Sequence, residues 1–321
     1  MTSLVGGGND TDKKYDVITI GDCCVDLILS GGSVVPEFGQ KEKIVDNYFL
    51  EMGGSCTIFA CQAAKLGLKT AVIGRVGDDP FGNLILHRLS GAGVDTSHVA
   101  RDKNVKTGIT VVMNTGSDRA MLTFTGTIDA IGREDVPDDL LASTRHLHVG
   151  SYFLMDRIRP HYPSIVAAVK AGGGTVSLDT NWDPAERWDG GLKALLPLID
   201  VLMPNENEAM AIAGTTTVDA AITTLRKVLP LLVVKRGKEG ATVHAKGEDH
   251  AVPATKVKTI VDTVGSGDSF DAGFLYGYLN AMPLVECARI GSICGSIKTR
   301  AAGGIAGQIV LAELEMLIGK K

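Results

Sequence analysis

The run from Asp262 to Asp271, with the sequence DTVGSGDSFD, carries the residue types and spacing best suited to chemistry. Two glycines flank Ser266 directly before a segment whose apolar residues recur at helical spacing. Unpaired N–H groups at such a helix start attract anions, and the helix dipole adds to the attraction. Asp268 places a carboxylate at the same point. This combination suits a site where a cation neutralises a phosphate while the carboxylate takes a proton from an attacking hydroxyl group.

The same pattern also has a purely structural interpretation. Aspartate is a common residue at the N-terminus of a helix, and glycine-rich turns often precede helices. From the residues alone, Asp268 is therefore either a helix cap or a catalytic base.

Two further carboxylates interrupt the first apolar segment of the chain. The pattern predicts a strand from Asp16 to Leu29, broken at Gly21, and its near-continuous apolar character indicates burial on both faces of a sheet. Asp22 and Asp26 fall where open α/β sheets hold their ligands. One of the two could cap a turn, and we expect Asp26 to be the ligand.

Two stretches resemble the signatures of the ribokinase-like (pfkB) carbohydrate kinases. The run at Asp262 is similar to the second signature, D-T-x-G-A-G-D, and departs from it at Ser266. The stretch from Gly53 to Gly67 is similar to the first signature, with Ile58 at the place of the usual asparagine. The resemblance implies that Asp268 is the catalytic base. It also implies that main-chain amides form an anion hole, namely those of Gly265, Ser266 and Gly267.

The resemblance extends to the sugar-binding positions. It implies that Asp26, Gly53, Gly54 and Asn181 hold the substrate together with Asp268. Cys24 and Ile58 depart from the usual contact positions, which puts ribose in doubt. Asp183 stands where an arginine often follows the asparagine, which disfavours an acidic sugar.

The resemblance also assigns a nucleotide site. The segment Asn205 to Glu208 is similar to an N-x-x-E motif, and Lys235 to Gly240 is similar to a glycine segment that lines ATP phosphates. Glu208 is implied as a magnesium ligand through water, because Mg²⁺ keeps much of its hydration shell. Asp262 is implied as a place for a monovalent cation such as K⁺. The nucleotide-binding residues are then Asn205, Lys235, Gly237, Gly240, Gly265 and Gly267.

Composition limits the class of protein. The chain has 321 residues, a net charge of −5 and 45% hydrophobic residues. Because the net charge is negative, we do not expect the positive surface potential that attracts nucleic acid. No apolar run is long enough to span a bilayer. Residues 1–14 are polar and glycine-rich, so we expect a disordered leader. The six cysteines form no CxxC pair, which with the missing signal indicates a reducing cytoplasm.

The remaining pattern predicts repeated β–α units. We expect one three-layer α/β/α domain over residues 15–321, with the strands of a small β-sheet lid inserted around 35–52 and 105–127. His146 and His148 alternate with apolar residues, and they either bind a metal or lie in the core.

The predicted function is ATP-dependent phosphorylation of a hydroxyl group on a sugar or sugar-like polyol, with Mg²⁺ as cofactor. The resemblance also implies a homodimer formed through the lid. A nucleoside kinase is an alternative, for which Ile58 and Phe59 would offer apolar room for a base. A kinase fold retained as a binding protein is another. The sequence leaves open which sugar is phosphorylated.

Overall fold

A computed structural model describes residues 13–31, 34–115 and 119–319 of the chain. The predicted leader, residues 1–14, lies outside the described residues except for its last two. The described strands are β1 (Tyr15–Ile20), β2 (Cys24–Ser30), β3 (Asn47–Gly53), β4 (Thr70–Gly77), β5 (Val99–Asp102), β6 (Gly108–Asn114), β7 (Arg119–Phe124), β8 (Thr144–Val149), β9 (Thr175–Leu178), β10 (Val201–Leu202), β11 (Leu231–Lys235), β12 (Ala241–Ala245) and β13 (Glu248–Val252).

The described helices are α1 (Ser55–Lys65), α2 (Pro80–Gly91), α3 (Asp138–Ala142), α4 (Tyr162–Ala171), α5 (Leu192–Leu195), α6 (Glu206–Ala213), α7 (Val218–Leu225), α8 (Ser266–Leu279), α9 (Leu284–Lys298) and α10 (Leu311–Ile318). None of the helices within the described ranges is both long and apolar enough to cross a membrane.

The larger sheet has the strand order β13-β12-β11-β10-β9-β8-β1-β4-β5. All neighbours from β5 to β11 pair in parallel, and β12 and β13 continue the sheet in antiparallel pairing. The carboxyl ends of β1, β8, β9, β10 and β11 therefore meet at one edge, where ligands of open α/β sheets bind.

Helices cover both faces of this sheet. Ile18 and Ile20 point into a core shared with apolar residues of α3 to α7. Val17 points to the opposite face, where it packs with residues of α1, α8 and α9, including Phe274. This alternation follows from the period of two along a strand. The predicted three-layer α/β/α architecture is thus confirmed.

The predicted single strand from Asp16 to Leu29 is wrong, because it is two strands in two different sheets. β1 ends at Ile20, and the chain bends at Gly21, where an added Cβ would lie 1.9 Å from Cys56 Cβ in α1. Both halves are apolar and largely buried. The hydrophobic pattern therefore carries no sign of the change of sheet.

The smaller sheet has the order β3-β2-β6-β7. The predicted lid ranges contain β3, β6 and β7, whereas β2 joins the sheet from outside those ranges. One face is apolar throughout, because the register places Leu27 beside Leu50 and Val111, with Leu122 next in line. The other face carries Asp26 beside Thr110 and Thr123.

Gly54 joins the smaller sheet to α1. Substitution of this residue tests how closely the backbone is packed at the junction. Its φ is +88°, as is that of Gly67 after the same helix. A Cβ at Gly54 would lie 1.8 Å from the Asp22 carbonyl oxygen, whereas at Gly67 the nearest atom is Leu311 Cδ2 at 3.5 Å. Both alanine substitutions incur left-handed strain of about 1–2 kcal/mol. We expect Gly54→Ala to lower the free energy of unfolding by about 1–3 kcal/mol more, because only there must the backbone move.

Urea denaturation of the two variants, followed by circular dichroism, measures this difference. Equal losses in Gly54→Ala and Gly67→Ala would contradict the close approach at Asp22.

Candidate active site

Asp268 lies in the first turn of α8, at the carboxyl edge of the larger sheet. Gly265 precedes the helix with a φ of 75°, and an added Cβ there would lie 2.8 Å from the Gly304 carbonyl oxygen. The Ser266 N–H donates to the Thr263 carbonyl at 3.2 Å. Within the described part of the chain, the N–H groups of Gly265, Gly267 and Asp268 make no hydrogen bond. The predicted anion-hole amide of Ser266 is therefore less available than its neighbours.

The Asp268 carboxyl group is buried, with 9% of the residue exposed. Burial, followed by the negative charge of Asp179, raises its pKa to about 7. Lys235 and a hydrogen bond from the Ser55 side chain act in the opposite direction. A carboxylate with a pKa near neutrality suits proton transfer at physiological pH.

The Lys235 ammonium, predicted at the nucleotide site, lies between two buried carboxylates. Its Nζ is 2.6 Å from Asp179 Oδ2 and 3.1 Å from Asp271 Oδ2. Although burial opposes the charge, Asp179 and Asp271 raise the pKa of Lys235 above its ordinary value. Nζ would lie 3.4 Å from a Cβ on Gly267. The ammonium therefore lies directly behind the glycine turn.

Asn205 and Glu208 meet at the start of α6 in a capping box. The Asn205 N–H donates to Glu208 Oε2 at 2.9 Å, and the Glu208 N–H donates to Asn205 Oδ1 at 3.0 Å. Burial and the charge of Asp179 raise the pKa of Glu208 to about 7. The backbone of Asn205 also bridges to that of Lys235. The structure thus brings the N-x-x-E segment beside the end of β11.

Gly237 and Gly240 lie in the connection between β11 and β12. Their φ values are 52° and 95°. A Cβ on Gly240 would lie 1.9 Å from the Val252 carbonyl oxygen. Close packing against β13 therefore requires glycine at position 240, whether or not a nucleotide binds there.

Asp26 and Gly53 are in direct contact across the smaller sheet. A Cβ on Gly53 would lie 2.2 Å from Asp26 Oδ1. Burial and the neighbouring Asp22 raise the pKa of Asp26 to about 7, and Arg119 acts against them. The charge of Asp22, which follows the carboxyl end of β1, therefore reaches the polar face of the smaller sheet.

Asp22 caps α1 rather than facing a ligand. Its carboxylate accepts the N–H groups of Ser55 and Cys56, each at 2.9 Å, and the Ser151 hydroxyl. Asn181, whose φ is 53°, accepts the Ser151 N–H at 2.6 Å through Oδ1. Asn181 is thereby fixed beside the start of α1.

Ile58 and Phe59 do not offer the apolar room that a nucleoside base needs. Ile58 is 2% exposed and packs against Gly265 and Gly304. Phe59 is fully buried and stacks on His148, with ring centroids 4.0 Å apart. Their burial contradicts that part of the nucleoside hypothesis.

The two alternating histidines are part of the core. His146 Nε2 and His148 Nδ1 both lie within hydrogen-bond distance of the Ser177 hydroxyl oxygen, at 2.7 and 2.8 Å. Burial lowers the pKa of His148 to about 3, so this imidazole is neutral. Across the described ranges, no three His, Cys, Asp or Glu side chains are grouped to hold a metal ion.

Asp262 is tied to the C-terminal end of α9. Its carboxylate accepts the N–H groups of Val264 at 3.0 Å and Gly303 at 2.9 Å. The ammonium of the fully buried Lys298 donates to the Asp262 carbonyl oxygen at 3.3 Å. Burial lowers the pKa of Lys298 to about 8, against the effect of Asp262 and Asp268.

Asp271, Ser55 and Lys298 are among the residues of this region that sequence reasoning missed. Asp271 follows Asp268 by three positions, and this i, i+3 pair of carboxylates on one helix face was a readable signal. Ser55 follows the double glycine and is the first residue of α1. Lys298 gave no signal, because a single lysine in a helix is ordinarily exposed.

Comparison with known proteins identifies the fold and the class of enzyme. The chain is 32% identical to a fructokinase of Klebsiella pneumoniae over 270 residues, which cover 79% of the chain and 87% of that protein. Two solved structures, each 26% identical, are also similar. Adenosine kinase from Sinorhizobium meliloti has a TM-score of 0.85, with 95% and 99% of the two chains covered. A putative ribokinase II from E. coli, in complex with ATP and Mg²⁺, has a TM-score of 0.82, with 96% and 100% covered.

Residues 14–309 match the family described as pfkB family carbohydrate kinase. This match covers the larger sheet, the smaller sheet and every candidate site residue discussed above. The resemblance to this family is thereby confirmed, and the chain belongs to the pfkB family of carbohydrate kinases.

Proposed function

We propose that this kinase transfers the γ-phosphoryl group of ATP to a hydroxyl group of a neutral sugar or sugar-like polyol, with Asp268 as the catalytic base. One observation carries the proposal: a buried carboxyl group with a pKa of about 7 stands beside open N–H groups at the start of α8. A base and an anion site in one place are what phosphoryl transfer to an alcohol requires.

In the proposed reaction, the sugar oxygen forms a bond to the γ-phosphorus atom while the bond to the β,γ-bridging oxygen breaks. ADP leaves, and the hydroxyl proton passes to Asp268. The N–H groups of Gly265, Gly267 and Asp268 donate to the phosphoryl oxygens as charge shifts among them. The Ser55 hydroxyl holds the Asp268 carboxylate in position.

The proposed sugar contacts come from two sides of the cleft. Asp26 accepts hydrogen bonds from sugar hydroxyls, and Gly53 and Gly54 let the sugar approach the backbone. Asn181, held by Ser151, contributes an amide from the opposite side. Closure of the polar face of the smaller sheet over the sugar excludes water, which would otherwise compete as phosphoryl acceptor.

The proposed nucleotide contacts lie around the end of β11. Gly237 and Gly240 line the phosphates beside Asn205, and Lys235 adds positive potential behind the glycine turn. Glu208 suits magnesium, because burial and the charge of Asp179 raise its pKa, and a nearby cation would favour its charged form. Mg²⁺ held there through water would neutralise phosphate charge.

The residues around Asp262 fit K⁺ poorly. Both carboxylate oxygens accept main-chain N–H groups, from Val264 and Gly303. The ammonium of Lys298 already lies on the Asp262 carbonyl oxygen. The proposed reaction therefore includes no monovalent cation.

A homodimer through the smaller sheet is supported by the apolar face of that sheet. Tyr48, Leu122 and Phe124 on this face are 66%, 63% and 53% exposed, and a contiguous exposed apolar face marks an interaction surface. A second copy supplies a matching apolar face through two-fold symmetry. A cytoplasmic location is supported by six free cysteines, all buried.

Release of ADP across neutral hexoses, ketoses, pentoses, inositols, acidic sugars and nucleosides tests the proposed function. We expect neutral sugars or polyols to be the substrates. We expect Asp268→Asn to lower kcat by about 10²–10⁴-fold, because general base catalysis contributes that much, while MgATP binding persists. In the wild type, kcat/KM should rise with pH up to about 7 and then level off, because Asp268 must lose its proton.

Asp200→Asn is the matched control. Asp200 lies before β10, at the opposite edge of the sheet, and its carboxylate accepts the Val176 N–H at 2.8 Å. This variant should retain kcat. Wild-type turnover in Asp268→Asn would reject the assignment of the base, and turnover of nucleosides alone would favour the nucleoside kinase.

Lys235→Met tests the ion cluster. We expect the free energy of unfolding to fall by about 3–5 kcal/mol, because the substitution leaves buried carboxylates without their cation. In this variant the rise of kcat/KM with pH should occur at higher pH, because Lys235 lowers the pKa of Asp268 in the wild type. Arg236→Met removes an exposed ion pair with Glu206 and should lower stability by less than about 1 kcal/mol. Equal losses in chemical denaturation would contradict the central role of Lys235.

Leu122→Glu tests the homodimer. A carboxylate on the apolar face should convert the dimer to a monomer in sedimentation equilibrium, because the charge would be buried in the interface. Met316→Glu, which changes an exposed apolar residue of α10 (74% exposed), should remain a dimer. A wild-type protein that sediments as a monomer at micromolar concentration would refute the proposal.

A further inference from the structure

Lys298 is a fully buried lysine that the proposed reaction does not use. It is the last residue of α9, and it is 0% exposed. Lysine is almost never fully buried without a partner, since an isolated ammonium loses its hydration. The ammonium donates to the Asp262 carbonyl oxygen at 3.3 Å. The fold therefore places a positive charge at this carbonyl.

The segment around Lys298 holds Asp262 from several directions. The carbonyl oxygen of Thr299 accepts the Val261 N–H at 2.8 Å and the Asp262 N–H at 3.2 Å. Gly303 donates to the Asp262 carboxylate at 2.9 Å. Asp262 in turn begins the glycine turn that carries the open N–H groups. The ammonium thus lies at the base of the proposed anion hole.

We propose that the Lys298 ammonium supplies the positive charge at Asp262 that a monovalent cation would otherwise supply, so that this kinase needs no K⁺. The inference rests on the proposed function, since it assigns the charge a part in nucleotide binding. It makes Lys298 a positioning residue, which acts through Asp262 and the glycine turn.

A cation that is covalently part of the chain differs from a dissolved one in how it reaches the site. An ammonium group and K⁺ carry the same charge, and both bind carbonyl oxygens. A cation fixed by the chain needs no recruitment from solvent, so its occupancy does not depend on salt. In a buried site its field is screened little by water, and it favours the negative phosphates at the glycine turn. The negative charges of Asp262 and Asp268 favour the charged form of Lys298, and the positive charge of Arg119 disfavours it.

The test measures MgATP affinity and the melting temperature in KCl, NaCl and tetramethylammonium chloride at equal ionic strength. The wild type should give the same values in all three salts. Lys298→Met keeps a chain of similar length without the charge, and we expect it to weaken MgATP binding by about tenfold. KCl, but not tetramethylammonium chloride, should restore part of this loss and raise the melting temperature of the variant.

Lys65→Met is the matched control. The Lys65 ammonium donates to the Ile305 carbonyl and to Gln308 Oε1, each at 3.1 Å, so it binds the same C-terminal segment away from Asp262. This variant should show no specific response to KCl. A K⁺ response equal to that of Lys298→Met would overturn the proposal.

The wild-type measurement decides the proposal even if Lys298→Met does not fold. A saturable gain in wild-type MgATP affinity or melting temperature with KCl alone would overturn it. MgATP binding that is independent of K⁺ supports it. If such binding occurs without phosphoryl transfer to any sugar, the proposed reaction fails while the assignment of Lys298 stands.

Discussion

The ammonium of Lys235, held between Asp179 and Asp271, is the interaction on which the carboxyl edge of the larger sheet depends. It joins the end of β9, the end of β11 and the first turns of α8 in one buried cluster. Carboxylates this close repel one another, and burial adds to the cost of their charges. The Lys235 ammonium offsets part of this cost, burial raises the pKa of Asp271 so that its neutral form is favoured, and Lys235 keeps the Asp268 pKa from rising further.

A second constraint is the close approach of two helix starts. α1 and α8 both begin at this edge, and the Ser55 side chain bonds to the Asp268 carboxylate. Asp22 fixes the start of α1 through the N–H groups of Ser55 and Cys56. Gly54 and Gly265 have positive φ and are in close contact with backbone carbonyl groups. Gly54 and Gly265 are therefore needed for packing, whether or not a ligand is bound.

The sequence was sufficient for the architecture and for the candidate site residues that lie within motifs. Regular β–α alternation predicts the larger sheet, and the glycine turn locates Asp268. The assignment of β2 failed, because burial hides a change of sheet in an apolar run. The partners of Lys235 and Lys298 could not be predicted, since Asp179, Asp262 and Asp271 reach them only through tertiary packing. Contacts of this kind depend on how helices and strands pack against one another. A local sequence pattern carries no information about that packing.

Burial, together with the charges of neighbouring groups, explains why several carboxyl groups of this region have raised pKa values. Asp26, Glu208 and Asp268 all have pKa values of about 7 in the protein alone. A metal ion arriving with a nucleotide would favour the charged form of Glu208, whereas the phosphates would disfavour that of Asp268. The positive charge of the metal ion would offset the phosphates, so that Asp268 could still take up a proton in the proposed reaction.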